Sequence, residues 1–248
     1  MKTRLDLDIR AQPNDFTCGP TCLYSVYRFF GDDISLDRVI AEVQKTDRGG
    51  TIAVFLAQHA LKRGYEVTIY TYNLTTFDPT WFQDPGIDIA ERLRLQAEAK
   101  PDRMLRLATE GYIDFLALGG QLRFEDLTAG LLRHHLKAGH PILTGLSSTY
   151  LYRCAREHGP KDDSDDVRGV PAGHFVVLAG YDSTSRTIQV ADPYLDNPLK
   201  AGHHYTVPIE RVVGSILLGV LTYDANLLVV RPKKPRRATP TSGRAPRP

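Results

Sequence analysis

Gln12-Pro13-Asn14-Asp15-Phe16-Thr17-Cys18-Gly19-Pro20-Thr21-Cys22 leads into an apolar-periodic run that reaches Phe30. A polar, proline-broken loop here becomes a helix at a cysteine. At such a junction the unpaired amides and the positive end of the helix dipole stabilise a thiolate over a thiol, so a cysteine placed there is a candidate nucleophile. Thiol chemistry on a carbonyl also needs an imidazole and an acceptor that fixes its orientation. The far half of the chain supplies both, in Gly173-His174-Phe175-Val176-Val177-Leu178-Ala179-Gly180-Tyr181-Asp182 and, one predicted strand later, in Val190-Ala191-Asp192-Pro193-Tyr194.

Working outward from the cysteine, Leu5, Leu7 and Ile9 alternate as a short strand before the Pro13-Asn14 break, and a helix is predicted from about Gly19 to Phe30. Ser35 is a candidate N-cap for a second helix carrying Leu36, Val39, Ile40 and Val43 on one stripe, and Thr51 for a third that ends near Gly64. A strand over 66–72 follows. Between 73 and 120 the pattern predicts a proline-punctuated loop around Trp81 and two helical patches on either side of Pro101. Asp126 is a candidate cap for a helix through Lys137. Everything beyond reads mainly as β, over 141–148, 174–181, 187–190, 205–207 and 227–230, with a short helix near 209–213. Helices first and strands afterwards predict an α+β fold rather than an alternating parallel sheet. Glu157 to Ala172, with Lys161-Asp162-Asp163-Ser164-Asp165-Asp166, is too polar to pack and is expected to be a mobile loop.

With 42% hydrophobic and 24% charged residues over 248 positions, a sizeable core needs no staples. An odd count of three cysteines, no charged-then-apolar leader and no long apolar run predict a cytoplasmic protein with neither a disulfide framework nor a membrane span. The net charge of +2 hides an asymmetry: residues 231–248 hold seven Lys/Arg, five prolines and no acid. Taking those seven from 31 leaves 24 basic against 29 acidic residues, so the body is mildly acidic. We therefore expect one domain over 1–230 and a disordered basic tail over 231–248. Contact of that tail with nucleic acid or another acidic partner stays open.

Four chemical roles are required, and four residues can fill them: Cys18 as nucleophile, His174 as base and acid, Asp192 as orienting group and Gln12 as oxyanion donor. The order Gln, Cys, His, Asp resembles papain-like cysteine peptidases. Gln12 six residues before Cys18, Cys18-Gly19-Pro20 after Asp15-Phe16-Thr17, the Gly49-Gly50-Thr51 helix start, Gly173-His174-Phe175-Val176-Val177 and Ala191-Asp192-Pro193 resemble one branch in particular. That branch is the bacteriocin-processing, double-glycine leader peptidases and their stand-alone relatives. The resemblance implies a papain-like fold, with an N-terminal helical half whose nucleophile helix packs on an antiparallel β-sheet. It also implies peptide hydrolysis through a Cys-His-Asp triad and a thioester acyl-enzyme, with Cys18, His174, Asp192 and Gln12 at the active site, a peptide or protein substrate and no cofactor. No attached transporter is expected, so a double-glycine leader is not the default substrate.

Other readings remain open at this point. The same four groups support acyl transfer, transpeptidation or hydrolysis of a non-peptide amide, and a non-catalytic peptide-binding module would retain the same groove. Zinc is the competitor wherever Cys and His coexist: Cys18 with Cys22, and Cys154 with His158, have admissible spacings, yet neither pair lies in a compact cluster, so no metal is expected. Cys22 and Cys154 are read as packing residues. His134-His135 and His203-His204 diverge as neighbours do and are read as surface or rim. Ser147, Ser148 and Tyr150, at the end of the predicted 141–148 strand, are candidate substrate contacts on the wall opposite the acidic segment.

Overall fold

The computed structural model of the protein describes residues 2–47, 49–200 and 202–233. A single large sheet is built from β1 (Lys2–Arg4), β2 (Tyr65–Thr71), β3 (Gln121–Arg123), β4 (Ile142–Ser147), β7 (Gly173–Asp182), β8 (Thr187–Ala191), β9 (His204–Pro208) and β10 (Asn226–Pro232). The strand order is β3-β2-β10-β4-β7-β8-β9, with β1 pairing the far end of β7. Every pairing is antiparallel except β2 with β3. The remaining strands, β5 (Glu157–His158) and β6 (Asp163–Ser164), form a hairpin of their own.

Helices cover both faces. α1 (Cys18–Phe29), α2 (Leu36–Glu42), α3 (Ala53–Lys62), α4 (Ile89–Ala99) and α5 (Arg103–Ala117) bury Leu23, Val26, Phe55, Leu56 and Phe115 with Leu143, Phe175, Val177 and Leu228 of the sheet. α6 (Ala129–Lys137), α7 (Ser148–Tyr152) and α8 (Ile209–Leu218) bury Leu132, Leu136, Leu151, Val212 and Ile216 against Leu146, Val176, Leu178, Val190 and Val229 on the other side. The two apolar sets alternate along β4 and β7, as the period-2 pleat requires of strands covered on both faces. Each fully buried Val, Leu or Phe contributes about 1.5–3 kcal/mol. The class is α+β with a mostly antiparallel sheet and the α1 helix packed on it, as the sequence predicts. Helices α1 to α5 make up most of the first half, and α6 to α8, threaded between strands, close the second face.

Several local expectations need correction. The first strand pairs over 2–4 rather than over Leu5, Leu7 and Ile9. Leu7 and Ile9 are nevertheless buried, so the alternation reports an extended chain lying on the core without ladder partners. Ile52, not Thr51, precedes α3, since the Thr51 hydroxyl donates to the Gln44 carbonyl at 2.8 Å and is spent on closing that loop. Thr128, not Asp126, caps α6, its hydroxyl accepting from the Leu131 amide at 3.1 Å. The segment 157–172 is not a bare loop. It carries the β5–β6 hairpin, and Glu157 and Val170 exchange both backbone bonds at 3.1 and 2.8 Å. The last strand continues to Pro232, with Arg231 paired to Glu66 at 3.5 Å, so the body reaches past residue 230. The rest of the expected tail, 234–248, lies outside the described residues.

Candidate active site

The start of α1 is fixed by its own loop. The Asn14 side-chain carbonyl accepts from the Phe16 amide at 3.0 Å, and the Thr17 hydroxyl donates to the Asn14 backbone carbonyl at 3.0 Å. The helix then begins with the Thr21 amide donating to the Thr17 carbonyl at 3.0 Å. Cys18 and Gly19 are therefore first-turn residues, whose amides have no carbonyl one turn back to receive them. Pro20 costs the helix nothing in that turn, because its missing N–H is one of the unpaired set. Gly19 is required by close approach: a β-carbon there would lie 2.8 Å from Thr51 Cγ2 and 3.1 Å from the Phe175 ring. The helix thus seats its first turn against β7, leaving Cys18 half-buried.

The sheet delivers the other two groups. Leu146 of β4 stands opposite His174, and Val177 stands opposite Ala191. Asp192 follows Ala191, falls level with Val176, and so shares the face of His174, two residues on. His174 Nε2 lies 2.8 Å from Asp192 Oδ1, and the Cys18 thiol is the other hydrogen-bonding partner of the ring, which leaves Nδ1 to face the sulfur. Burial works against a charge on His174, but the bonds and charges of Asp192 and Cys18 outweigh it and push the imidazole up to about 10. Asp192 has no solvent exposure. Burial alone would raise its carboxyl; His174, Tyr205 and Tyr152 reverse that and hold it below the ordinary carboxylate range.

The Gln12 amide N–H donates to the Pro193 carbonyl at 2.9 Å, which ties the loop before Cys18 to the residue after Asp192. Its side-chain Nε2 donates to the Asn14 carbonyl at 3.0 Å, while the buried Oε1 has no protein partner. Ser147 caps α7, its hydroxyl accepting from the Tyr150 amide at 3.4 Å, and the Ser148 hydroxyl donates to the Ala172 carbonyl at 3.1 Å. Half-exposed Tyr150 lines a cavity of about 240 Å³ with Pro171, Leu218 and Leu221, beside the strand end that carries Gly173 and His174. Among the described residues no three His, Cys, Asp or Glu side chains come together as metal ligands. No helix among them is long and apolar enough to cross a membrane.

Two residues that the sequence reading did not place beside Asp192 join it: Tyr152, read there only as a candidate substrate contact, and Tyr205 both donate to Asp192 Oδ2, at 2.7 and 2.6 Å. A tyrosine on the buried face of a strand needs an acceptor for its hydroxyl, and Tyr205, between exposed His204 and Thr206, carries that signal.

Residues 125–213, the segment that contains His174 and Asp192, match the model of the Peptidase_C39 like family. The chain resembles the C39-like peptidases. A Bacillus anthracis structure described as a C39-like peptidase is 17% identical, with a TM-score of 0.50 over 94% of this chain and 100% of that one. At that identity the likeness shows the fold, and the fold is the papain-like one of the C39 peptidases. A double-glycine motif protease from an AMS/PCAT transporter, solved with its leader peptide, is 14% identical, with a TM-score of 0.43 over 93% of this chain and 95% of that chain. The peptidase domain of Streptococcus ComA is 14% identical, with a TM-score of 0.42 over 92% and 99%. No curated protein matches the chain.

Proposed function

We propose that this C39-like, cysteine-type peptidase hydrolyses a peptide amide bond through Cys18, His174 and Asp192. The observation that carries the reading is the 2.8 Å bond from His174 Nε2 to a fully buried Asp192, with Cys18 on the ring's other side. Raised against burial by Asp192 and Cys18, the His174 ring takes the Cys18 proton, so the pair enters the reaction as imidazolium and thiolate. The sulfur attacks the amide carbonyl, and the developing oxyanion is held by the Cys18 amide and by the second Nε2–H of Gln12. His174 Nδ1 gives its proton to the leaving amine as the C–N bond breaks and the thioester forms. The ring, now neutral, takes a proton from water, whose oxygen attacks the thioester. The C–S bond breaks, the carboxylic acid leaves, and the Cys18 thiolate is restored beside the His174 ring that holds the water's proton.

Substrate contacts are assigned to the cavity beside Gly173, where Tyr150, Pro171, Leu218 and Leu221 pack an apolar side chain of the peptide, and where Ser147 and Ser148 hold the wall. Three free cysteines are in keeping with a reducing, cytoplasmic setting, and the basic residues beyond 230 remain the candidate contact for an acidic partner. Turnover of a proteome-derived peptide library tests the assignment. Cys18→Ala and His174→Ala are expected to abolish new termini, and cleavage unchanged in either variant would overturn it. If an added amine competes with water for the acyl group, the chemistry is acyl transfer on the same residues.

A further inference from the structure

The Asp192 carboxylate is buried between three elements and accepts four hydrogen bonds. Oδ1 takes His174 Nε2 at 2.8 Å and the Tyr194 amide at 2.9 Å; Oδ2 takes Tyr152 Oη at 2.7 Å and Tyr205 Oη at 2.6 Å. The backbone is held as well, since the Asp192 amide donates to the His203 carbonyl at 2.8 Å and the Asp192 carbonyl lies 2.7 Å from His203 Nδ1. Tyr152 arrives from the last turn of α7 and Tyr205 from β9, so two independent elements converge on one oxygen. A carboxylate with no water around it keeps its charge only where donors replace that water. With one phenol, the carboxyl could turn about its Cβ–Cγ bond and offer either oxygen to the imidazole. With two on Oδ2, only Oδ1 is left for His174.

We propose that Tyr152 and Tyr205 are paired positioning residues, whose phenols clamp Oδ2 so that Asp192 stays ionised and presents Oδ1 to His174. The clamp rests on the peptidase reading for its purpose but not for its test. The titratable groups at the Asp192 carboxylate are His174 from β7, Tyr152 from α7 and Tyr205 from β9; His203, from the connection between β8 and β9, meets the Asp192 backbone carbonyl, Tyr194 bonds the carboxylate through its backbone amide, and the Cys22 thiol of α1 lies near enough to feel its charge. None is a second carboxylate. Removing a phenol takes a donor from Oδ2, and because the two phenols also bond each other, each variant is read by itself against wild type.

The test follows the Asp192 carboxyl carbon by NMR through an acid titration of the full chain, in wild type, Tyr152→Phe and Tyr205→Phe. Each variant is expected to raise the Asp192 midpoint by roughly one pH unit, and to lower kcat for a cleaved peptide about tenfold or more with KM little changed. A purely structural role would lower the melting temperature and leave the midpoint where it was; that outcome overturns the clamp. Should neither variant fold, wild type decides the matter: a midpoint within the ordinary carboxyl range also overturns it. Hydrolysis that survives Cys18→Ala removes the peptidase reading and leaves the midpoint shifts standing, so the two failures are distinguishable.

Discussion

Cys22 Sγ lies 3.2 Å from the carbonyl oxygen of Phe175, one helical turn beyond Cys18, and its thiol donates there. Burial, with the charges of Cys18 and Asp192, pushes that thiol well above the ordinary range, and burial raises Cys154 too. Only Cys18 joins partial exposure to a histidine partner. Brief iodoacetamide treatment at mildly acidic pH, followed by mass mapping, is expected to label Cys18 ahead of both others. Preferential labelling of Cys22 or Cys154 would remove Cys18 as the nucleophile.

Gln12 uses its backbone on Pro193 and one side-chain N–H on Asn14, which leaves the second N–H for an oxyanion. Gln12→Ala is expected to keep the fold and the Cys18 labelling and to lower kcat by about 10² to 10³. Normal turnover in a folded variant would move the oxyanion hole elsewhere.

Asp224 is buried beneath Gly145, where a β-carbon would meet its carboxyl at 2.6 Å, and its Oδ1 has no protein partner. Burial pushes its carboxyl up to about 8, opposed in part by Thr222. The folded state then binds this proton more tightly than the unfolded chain does, so the stability it contributes is fully present below about pH 4 and is lost as pH rises to about 8. Urea unfolding across pH 5 to 8 is expected to show Asp224→Asn gaining on wild type by up to about 1.4 kcal/mol per unit. Parallel stability curves would show that Asp224 is ionised in the fold without cost.

Glu157 is half-buried and is joined through its backbone to Val170, three residues before β7 starts at Gly173; burial raises its carboxyl first, then the charge of Asp162. The charges of His174, which lowers its carboxyl, and of Asp15, which raises it, also act on it. Asp165 is instead spent on Arg168 and on the Val167 and Arg168 amides. Glu157→Gln is expected to raise KM for lysine- or arginine-bearing peptides, more at low than at high salt, and to spare uncharged ones. Equal kinetics for basic, neutral and acidic peptides would place charge selection elsewhere.

The nucleophile helix, its sheet and the strands bearing His174 and Asp192 were legible because each announces itself locally: a loop-to-helix junction at Cys18, an apolar run from Phe175 to Ala179, an Asp-Pro after Ala191. What stayed hidden depends on partners distant in sequence. Tyr152 reaches Asp192 across forty residues, and no period or spacing links them. β3 is three residues long and parallel to β2, too short to alternate visibly. The 157–170 hairpin forms from polar residues, since its pairing is made by the backbone at Glu157 and Val170 and by Arg156 reaching the Asp166 carbonyl at 2.7 Å. Hydrophobic patterning does not report such contacts.

The central claim, that the Cys18 sulfur forms a thioester with its substrate, is tested most directly by acid-quenching the protein within its first turnovers of a cleaved peptide and weighing it intact. The account predicts an added mass equal to the acyl half of the peptide, mapped to Cys18, labile to hydroxylamine and absent in Cys18→Ala. Continued cleavage by Cys18→Ala, or an acyl group mapped to any other residue, would contradict it.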